Sequence, residues 1–245
     1  MTGNLLAGEE KVLKKAASDT RTFTSIIIPA YNEESGLPIV LEKIFRSVNG
    51  CHEVIVVDDG SQDSTATIAA TFPCRVIRHR ENCGKGAALK TGISHATGEN
   101  VIFIDADDTY PADAILALTE ALDTCDVVYG VRAIGRKNIP LLNRFGNLVF
   151  QTMIRIFYGF TASDYSTGLY GLKKRYFHRM RIASKGFSIE PEIAIKASRM
   201  NLSIKEIPIH YSPRVGRAKL GSFSGGYQHL KTITRHLFWS PHYKN

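Results

Sequence analysis

Val101 to Pro111 reads VIFIDADDTYP, and the fold class turns on how that stretch is read. Four apolar residues, Val101 to Ile104, fit a strand buried on both faces, as in a parallel sheet. An acidic turn, Asp105-Ala106-Asp107-Asp108, follows at once. Alternate residues of an extended segment point the same way, so Asp105 and Asp107 converge on one point. Two carboxylates there do not both stay ionised and desolvated without a cation. A hard divalent ion, Mg²⁺ or Mn²⁺, held by carboxylates and substrate phosphates, meets that need. The alternative is a solvated acidic loop in which Asp108 or Thr109 caps a helix starting near Pro111. The metal reading is preferred, because α/β sheets bind ligands at the carboxyl ends of their strands.

Towards the N-terminus the same pattern repeats. Thr24 to Pro29 (TSIIIP) and Glu53 to Val57 (EVIVV) are further buried strands. The first breaks at Ala30-Tyr31-Asn32-Glu33-Glu34. A helix then runs to about Ser47, with Leu37, Val40, Leu41 and Ile44 on its core face. The second ends in Asp58-Asp59-Gly60-Ser61, a turn and cap that open a helix through Ala70. Arg75 to Arg78 is a short third strand. Asn82-Cys83-Gly84-Lys85-Gly86 opens a helix over 87–96. It lacks the G-x-x-x-x-G-K-[ST] spacing of a P-loop, so a glycine-rich helix start is the preferred reading. Helix 112–122 and strand 126–131 complete the alternation. It predicts an α/β fold, a mostly parallel sheet with helices on both faces. Right-handed crossovers bring the turns at 30–34, 58–61 and 105–109 to one sheet edge.

Past residue 131 the alternation stops. Leu141 to Phe160 carries a broad apolar stripe at helical spacing, read as a helix packed on the core, with an interfacial membrane helix as the less favoured alternative. A strand is expected over 167–172, a helix from Glu190 to about Met200, and a strand over 204–209. Residues 214–219 form a basic loop. Tyr227 to Trp239 is a basic amphipathic helix with Leu230, Ile233, Leu237 and Phe238 on its apolar side.

Composition narrows the function classes. The chain has 245 residues, 44% apolar, and a net charge of +8. Residues 171–245 hold 15 Lys/Arg and 3 Asp/Glu, a net +12, against −4 for the remainder. That basic third suits phosphates or anionic lipid. No helix-turn-helix, RRM or zinc-finger pattern occurs, so nucleic acid ranks last among partners. The four cysteines form no C-x-x-C pair, which suits reduced thiols in a cytoplasmic setting. Neither a signal-peptide core nor a run of roughly 18 apolar residues is present.

Eight segments together resemble an inverting family 2 glycosyltransferase with the GT-A, Rossmann-like nucleotide-sugar-binding fold. They are IIIPAYNEE (26–34), VIVVDDGSQDST (54–65), N-x-G-K-G-x-A-L (82–89), FIDADDTYP (103–111), GVR (130–132), SDYSTGLYGL (163–172), FSIEPEI (187–193) and EIPIHYSPRVGRAKL (206–220). They occur in the family's order, and the last four resemble the branch of dolichol-phosphate mannose synthases and polyprenyl-phosphate glycosyltransferases. The resemblance implies that Pro29, Tyr31 and Glu33 line the nucleotide pocket. Asp59 hydrogen-bonds the nucleoside with Asp58 beside it, and Lys85 belongs to the same donor site. Asp105, Ala106 and Asp107 form the D-x-D motif, whose carboxylates bridge the diphosphate through Mg²⁺ or Mn²⁺. Arg132, Arg214 and Lys219 match basic residues that hold donor or acceptor phosphates. Where the lipid-linked branch often has a Gln two places after the second Asp, this chain has Thr109.

The expected reaction moves a hexose from a GDP- or UDP-sugar to a polyprenyl phosphate. A hydroxyl acceptor would instead need a general base, and Asp164, Glu190 and Glu192 are the candidates, although each could equally cap a turn or start a helix. A non-catalytic nucleotide-sugar-binding protein is a further alternative. The expected organisation is a tail over 1–22, a catalytic domain over 23–220 divided near 131, and a basic helix over 221–245. That helix, or a membrane-anchoring partner subunit, would hold the enzyme on the cytoplasmic face of an anionic membrane.

Overall fold

The computed structural model describes residues 22–48, 52–216 and 222–241. Seven strands form one sheet in the order β3-β2-β1-β4-β6-β5-β7. They are β1 (Thr24–Ala30), β2 (His52–Asp58), β3 (Arg75–Arg78), β4 (Asn100–Phe103), β5 (Val127–Ile134), β6 (Tyr170–Lys173) and β7 (Ile204–His210). The helices are α1 (Leu37–Ser47), α2 (Thr65–Ala69), α3 (Lys85–His95), α4 (Ala114–Leu122), α5 (Leu141–Tyr158), α6 (Lys174–Met180), α7 (Ile189–Arg199) and α8 (Ser222–Arg235). β6 runs antiparallel to both neighbours, β4 and β5. The other pairings are parallel.

The continuous apolar runs are explained by burial on two faces. Ile26 and Ile28 of β1 point into one core with Val54 and Val56, beneath α1 and α4. Ile27 points into the other with Ile55 and Val57, beneath α3 and α7. From β1 the chain builds outward through β2 to β3, then crosses back to place β4 on the opposite side of β1. Strand order therefore reverses between β1 and β4, and the crevice outside their carboxyl ends is where a doubly wound sheet takes its ligand.

Three expectations are corrected. The helix after the acidic turn begins at Ala114, so neither Asp108 nor Thr109 caps it. Asp108 instead takes a left-handed φ of 60° and pairs with Lys43 at 2.6 Å. The Asp58–Ser61 turn likewise does not open a helix directly, because α2 starts only at Thr65. Third, α5 is not packed on the core along its length. Ile154 and Tyr158 are buried, but Leu141, Leu142, Phe145, Leu148, Ile156 and Phe157 are exposed. The basic helix expected over 227–239 instead spans Ser222–Arg235. Ile233 and His236 are buried, Leu237 and Trp239 pack against the core, and of its apolar face Leu230 and Phe238 stay exposed. Helix α6 follows β6 without a break, at a place where the sequence pattern predicts no element.

Candidate active site

Two polar turns at the carboxyl ends of β1 and β2 are stitched together by side chains. Asn32 N–H donates to Ser61 Oγ at 2.9 Å, and Glu33 N–H donates to Thr65 Oγ1 at 2.8 Å. Asn32 Oδ1 accepts from Gln62 N–H at 2.8 Å. Asn32 takes φ 50°, a left-handed conformation tolerated at such turns. The acidic turn after β4 is tied to the later chain, with Val215 N–H donating to the Asp107 carbonyl at 3.0 Å and Ser212 N–H to that of Thr109 at 2.9 Å. Gly168 permits the packing behind Asp105, since a Cβ there would lie 2.1 Å from Asp105 Oδ2.

These turns bound a cavity of about 840 Å³. Of the residues singled out from sequence, Pro29, Tyr31, Glu33, Asp59, Lys85, Asp105, Ala106, Asp107, Arg132, Glu190 and Arg214 line it. Lys219 lies outside the described residues. Asp58 and Asp59 are neighbours at the end of a strand and so point opposite ways. Asp59 faces the cavity, while Asp58 is fully buried beside Arg78 Nε at 3.0 Å and accepts from Ser61 N–H at 3.0 Å. Asp58 is thus a turn-forming residue. Glu190 and Glu192 are two apart on α7, roughly 200° round the helix, so only one can face the cleft. It is Glu190. Glu192 accepts from Lys196 Nζ at 2.5 Å and from the Ala183 and Ser184 amides at 2.9 and 2.8 Å. Burial would raise its carboxyl, but hydrogen bonds from His236, these amides and Lys196 hold it well below the usual range. A carboxylate so engaged cannot serve as a general base at the cleft. Asp164 likewise lies off the main cavity, gripping Arg132 through two bonds of 2.6 and 2.7 Å.

The charges in the cleft are bridged. Lys85 Nζ sits 2.7 Å from both Asp105 Oδ1 and Glu190 Oε1. Burial alone would depress this ammonium, but the two carboxylates keep it well above its ordinary value. Arg214 spans Glu33 at 2.6 Å and Asp107 at 2.9 Å. Burial, with Asp105 nearby, raises the Asp107 carboxyl against the pull of Arg214. Counted as ionised, four carboxylates and two cations leave a net −2, the charge that one divalent ion balances. Asp105 and Asp107 are hard oxygen donors, and two carboxylates completed by phosphates suit Mg²⁺ or Mn²⁺. The residues present therefore fit such an ion.

Sequence reasoning missed His229, Tyr211 and Phe187, which also line the cavity. His229 donates from Nε2 to the Phe187 carbonyl at 3.0 Å and meets Tyr165 Oη at Nδ1, 3.1 Å away. Burial lowers its pKa. A lone histidine in a helix carries no sequence signal of this placement. Tyr211 stacks beneath the Arg132 guanidinium at 5.4 Å.

Acidic and basic groups gathered at the switch point of a doubly wound sheet suit a phosphorylated ligand. The chain belongs to glycosyl transferase family 2, whose model matches residues 25–181. A dolichyl-phosphate hexose transferase of Haloferax volcanii is 32% identical over 213 residues, covering 86% of this chain and 92% of that protein. A dolichol-phosphate mannosyltransferase of Pyrococcus furiosus is 28% identical, covering 88% of this chain and 64% of that one. Among solved structures, glucosyl-3-phosphoglycerate synthase of Mycobacterium tuberculosis, in complex with Mn²⁺, UDP-glucose and phosphoglyceric acid, shares the fold. Its TM-score is 0.74 at 24% identity, covering 91% of this chain and 81% of that one.

Proposed function

We propose that this enzyme transfers a hexose, with inversion, from a nucleoside diphosphate sugar to a polyprenyl phosphate at the cytoplasmic face of a membrane. The observation that carries this reading is the exposed apolar stripe of α5, which runs into the cleft: Leu142 and Phe145, both more than half exposed, line the cavity. The names of the Haloferax and Pyrococcus relatives support a lipid phosphate as acceptor.

Asp59 and Tyr31 would take the nucleoside, and Asp105 and Asp107 would hold Mg²⁺ or Mn²⁺. The bound ion supplies charge neutralisation for the departing nucleoside diphosphate. Lys85 and Arg214, each shared between two carboxylates, are placed to turn to the phosphates. Arg132, held rigid by Asp164 and by Ser166 Oγ at 2.6 Å, presents a fixed cation for the acceptor phosphate. That phosphate is ionised near neutral pH, its second pKa being about 6, so its oxygen attacks the anomeric carbon without a general base. The carbon–oxygen bond to the donor breaks as the new one forms, which inverts the centre. A hydroxyl acceptor remains the second reading, with Glu190 as the cleft-facing base.

The test is a transfer screen of GDP- and UDP-hexoses with Mg²⁺ or Mn²⁺, with a short polyprenyl phosphate or a soluble sugar as acceptor. Transfer to the lipid phosphate is expected. Transfer only to a hydroxyl, lost in Glu190→Gln, would overturn the lipid-phosphate reading.

A further inference from the structure

We propose that Asp59, His79 and Cys83 form a site for one thiophilic divalent cation of the Zn²⁺ type, separate from the Asp105–Asp107 pair, and that its occupancy excludes the nucleotide. The exclusion rests on the reading of Asp59 as the nucleoside contact; the site itself does not.

A carboxylate oxygen, an imidazole nitrogen and a thiol sulfur here all lie within 4.8 Å of one another. That O, N, S donor set suits Zn²⁺, whereas Mg²⁺ and Mn²⁺ prefer oxygen alone. The two clusters therefore sort metals by softness. Ordinary zinc bonds, near 2.0 Å to oxygen and nitrogen and 2.3 Å to sulfur, put ligand atoms roughly 3.3–3.5 Å apart. The His79 Nδ1 to Asp59 Oδ1 contact, 2.7 Å, has to open slightly. Cys83 has to swing in, and it is exposed, with Sγ making a long 3.4 Å contact to the Glu81 carbonyl.

The surroundings hold the ligands in place. The amides of Cys83 and Gly84 donate to Asp59 at 2.9 and 2.8 Å and fix its carboxylate. His79 Nε2 lies 2.9 Å from Thr91 Oγ1. With Nδ1 on a metal, Nε2–H donates to that hydroxyl, the outer bond that commonly orients a metal-bound imidazole. Of the three ligands Asp59 lines the cavity, with Gly84 beside it, so an ion held here would lie at the edge of the cleft, where water would complete its coordination. Binding releases the thiol proton, while the imidazole proton moves from Nδ1 to Nε2.

The experiment titrates the metal-free full-length protein with Zn²⁺ against a chromophoric chelator, then repeats the titration with UDP. One tight equivalent is expected. Cys83→Ala and His79→Gln are expected to weaken it at least tenfold, Asp105→Asn to leave it in place, and saturating UDP to displace it. Equal zinc affinity in Cys83→Ala, or loss of the tight equivalent in Asp105→Asn, would overturn the site. Zinc and UDP bound together would overturn the exclusion. UDP affinity of Cys83→Ala in EDTA, expected to match the parent protein, reports on the nucleotide pocket independently.

Discussion

Asp107 is nearly buried, close to a second carboxylate, and compensated by a single guanidinium. Replacing it with Asn removes one of two hard donors without changing shape. Transfer is expected to fall on the order of 10²–10³-fold, the loss typical when a positioned electrostatic group is removed. Circular dichroism should be unchanged, and Mn²⁺ titration should show weaker binding; full activity in Asp107→Asn would remove the metal role from this pair. Asp164 makes a different expectation. It neutralises a guanidinium with under a tenth of its side chain exposed, so Asp164→Ala strands a buried charge. That should cost about 3–5 kcal/mol in urea unfolding. Which carboxylates face the cleft was only partly legible in the sequence. Asp105 and Asp107 both line the cavity, although β4 ends at Phe103 and the chain bends between them. Asp58 and Glu192 sit beside the right residues but turn away, and the phase of a helix or turn is set by packing that one motif does not encode.

At the scale of elements, α7 carries both a cleft residue and a buried network. The folded-state pKa of Glu192 lies well below its ordinary 4.5. Its stabilisation is therefore complete above about pH 4.5 and is lost as pH falls through the lowered value. The stability gap between the parent protein and Glu192→Gln is expected to be widest at pH 7 and to narrow below pH 4.5, followed by urea midpoints. A gap that widens in acid would contradict the network. Helix α5 makes a second expectation. Its exposed apolar side chains are joined by exposed Arg144 and Arg155, with Arg136 and Lys137 just before it. Burying each large side chain is worth about 1.5–3 kcal/mol, and each cation near an anionic leaflet about 1 kcal/mol. The protein should sediment with anionic vesicles at low salt and less with neutral ones. Leu148→Glu with Ile156→Glu should abolish this while UDP affinity stays unchanged. The periodicity of α5 was plain in the sequence, but periodicity gives an apolar face without saying what covers it. Helix α6, KRYFHRM, is too short and too polar to announce itself at all.

For the whole molecule, the doubly wound half was legible because each strand is buried on both faces and reads as an unbroken apolar run. The direction of β6 was not, since a four-residue strand looks the same either way round. No described helix is long and apolar enough to cross a membrane. The single sheet also joins the expected halves, with β4 from one side hydrogen-bonded to β6 from the other. Cooperative unfolding in one transition is expected by calorimetry, and two resolved transitions would mean that the halves fold separately.

The two bridges through Lys85 and Arg214 bear on how the protein behaves in the hand. A cleft that supplies its own counter-ions does not rely on a metal to hold its walls apart or together. Stripping Mg²⁺ or Mn²⁺ from zinc-free protein should therefore leave the melting temperature unchanged, unlike that of a protein whose fold is clasped by its ion. Mn²⁺ alone should raise it little, because the ion must first displace a lysine and an arginine that have nowhere better to go. Mn²⁺ with UDP should raise it by more than the two separate increments, since the diphosphate offers those displaced side chains a new partner.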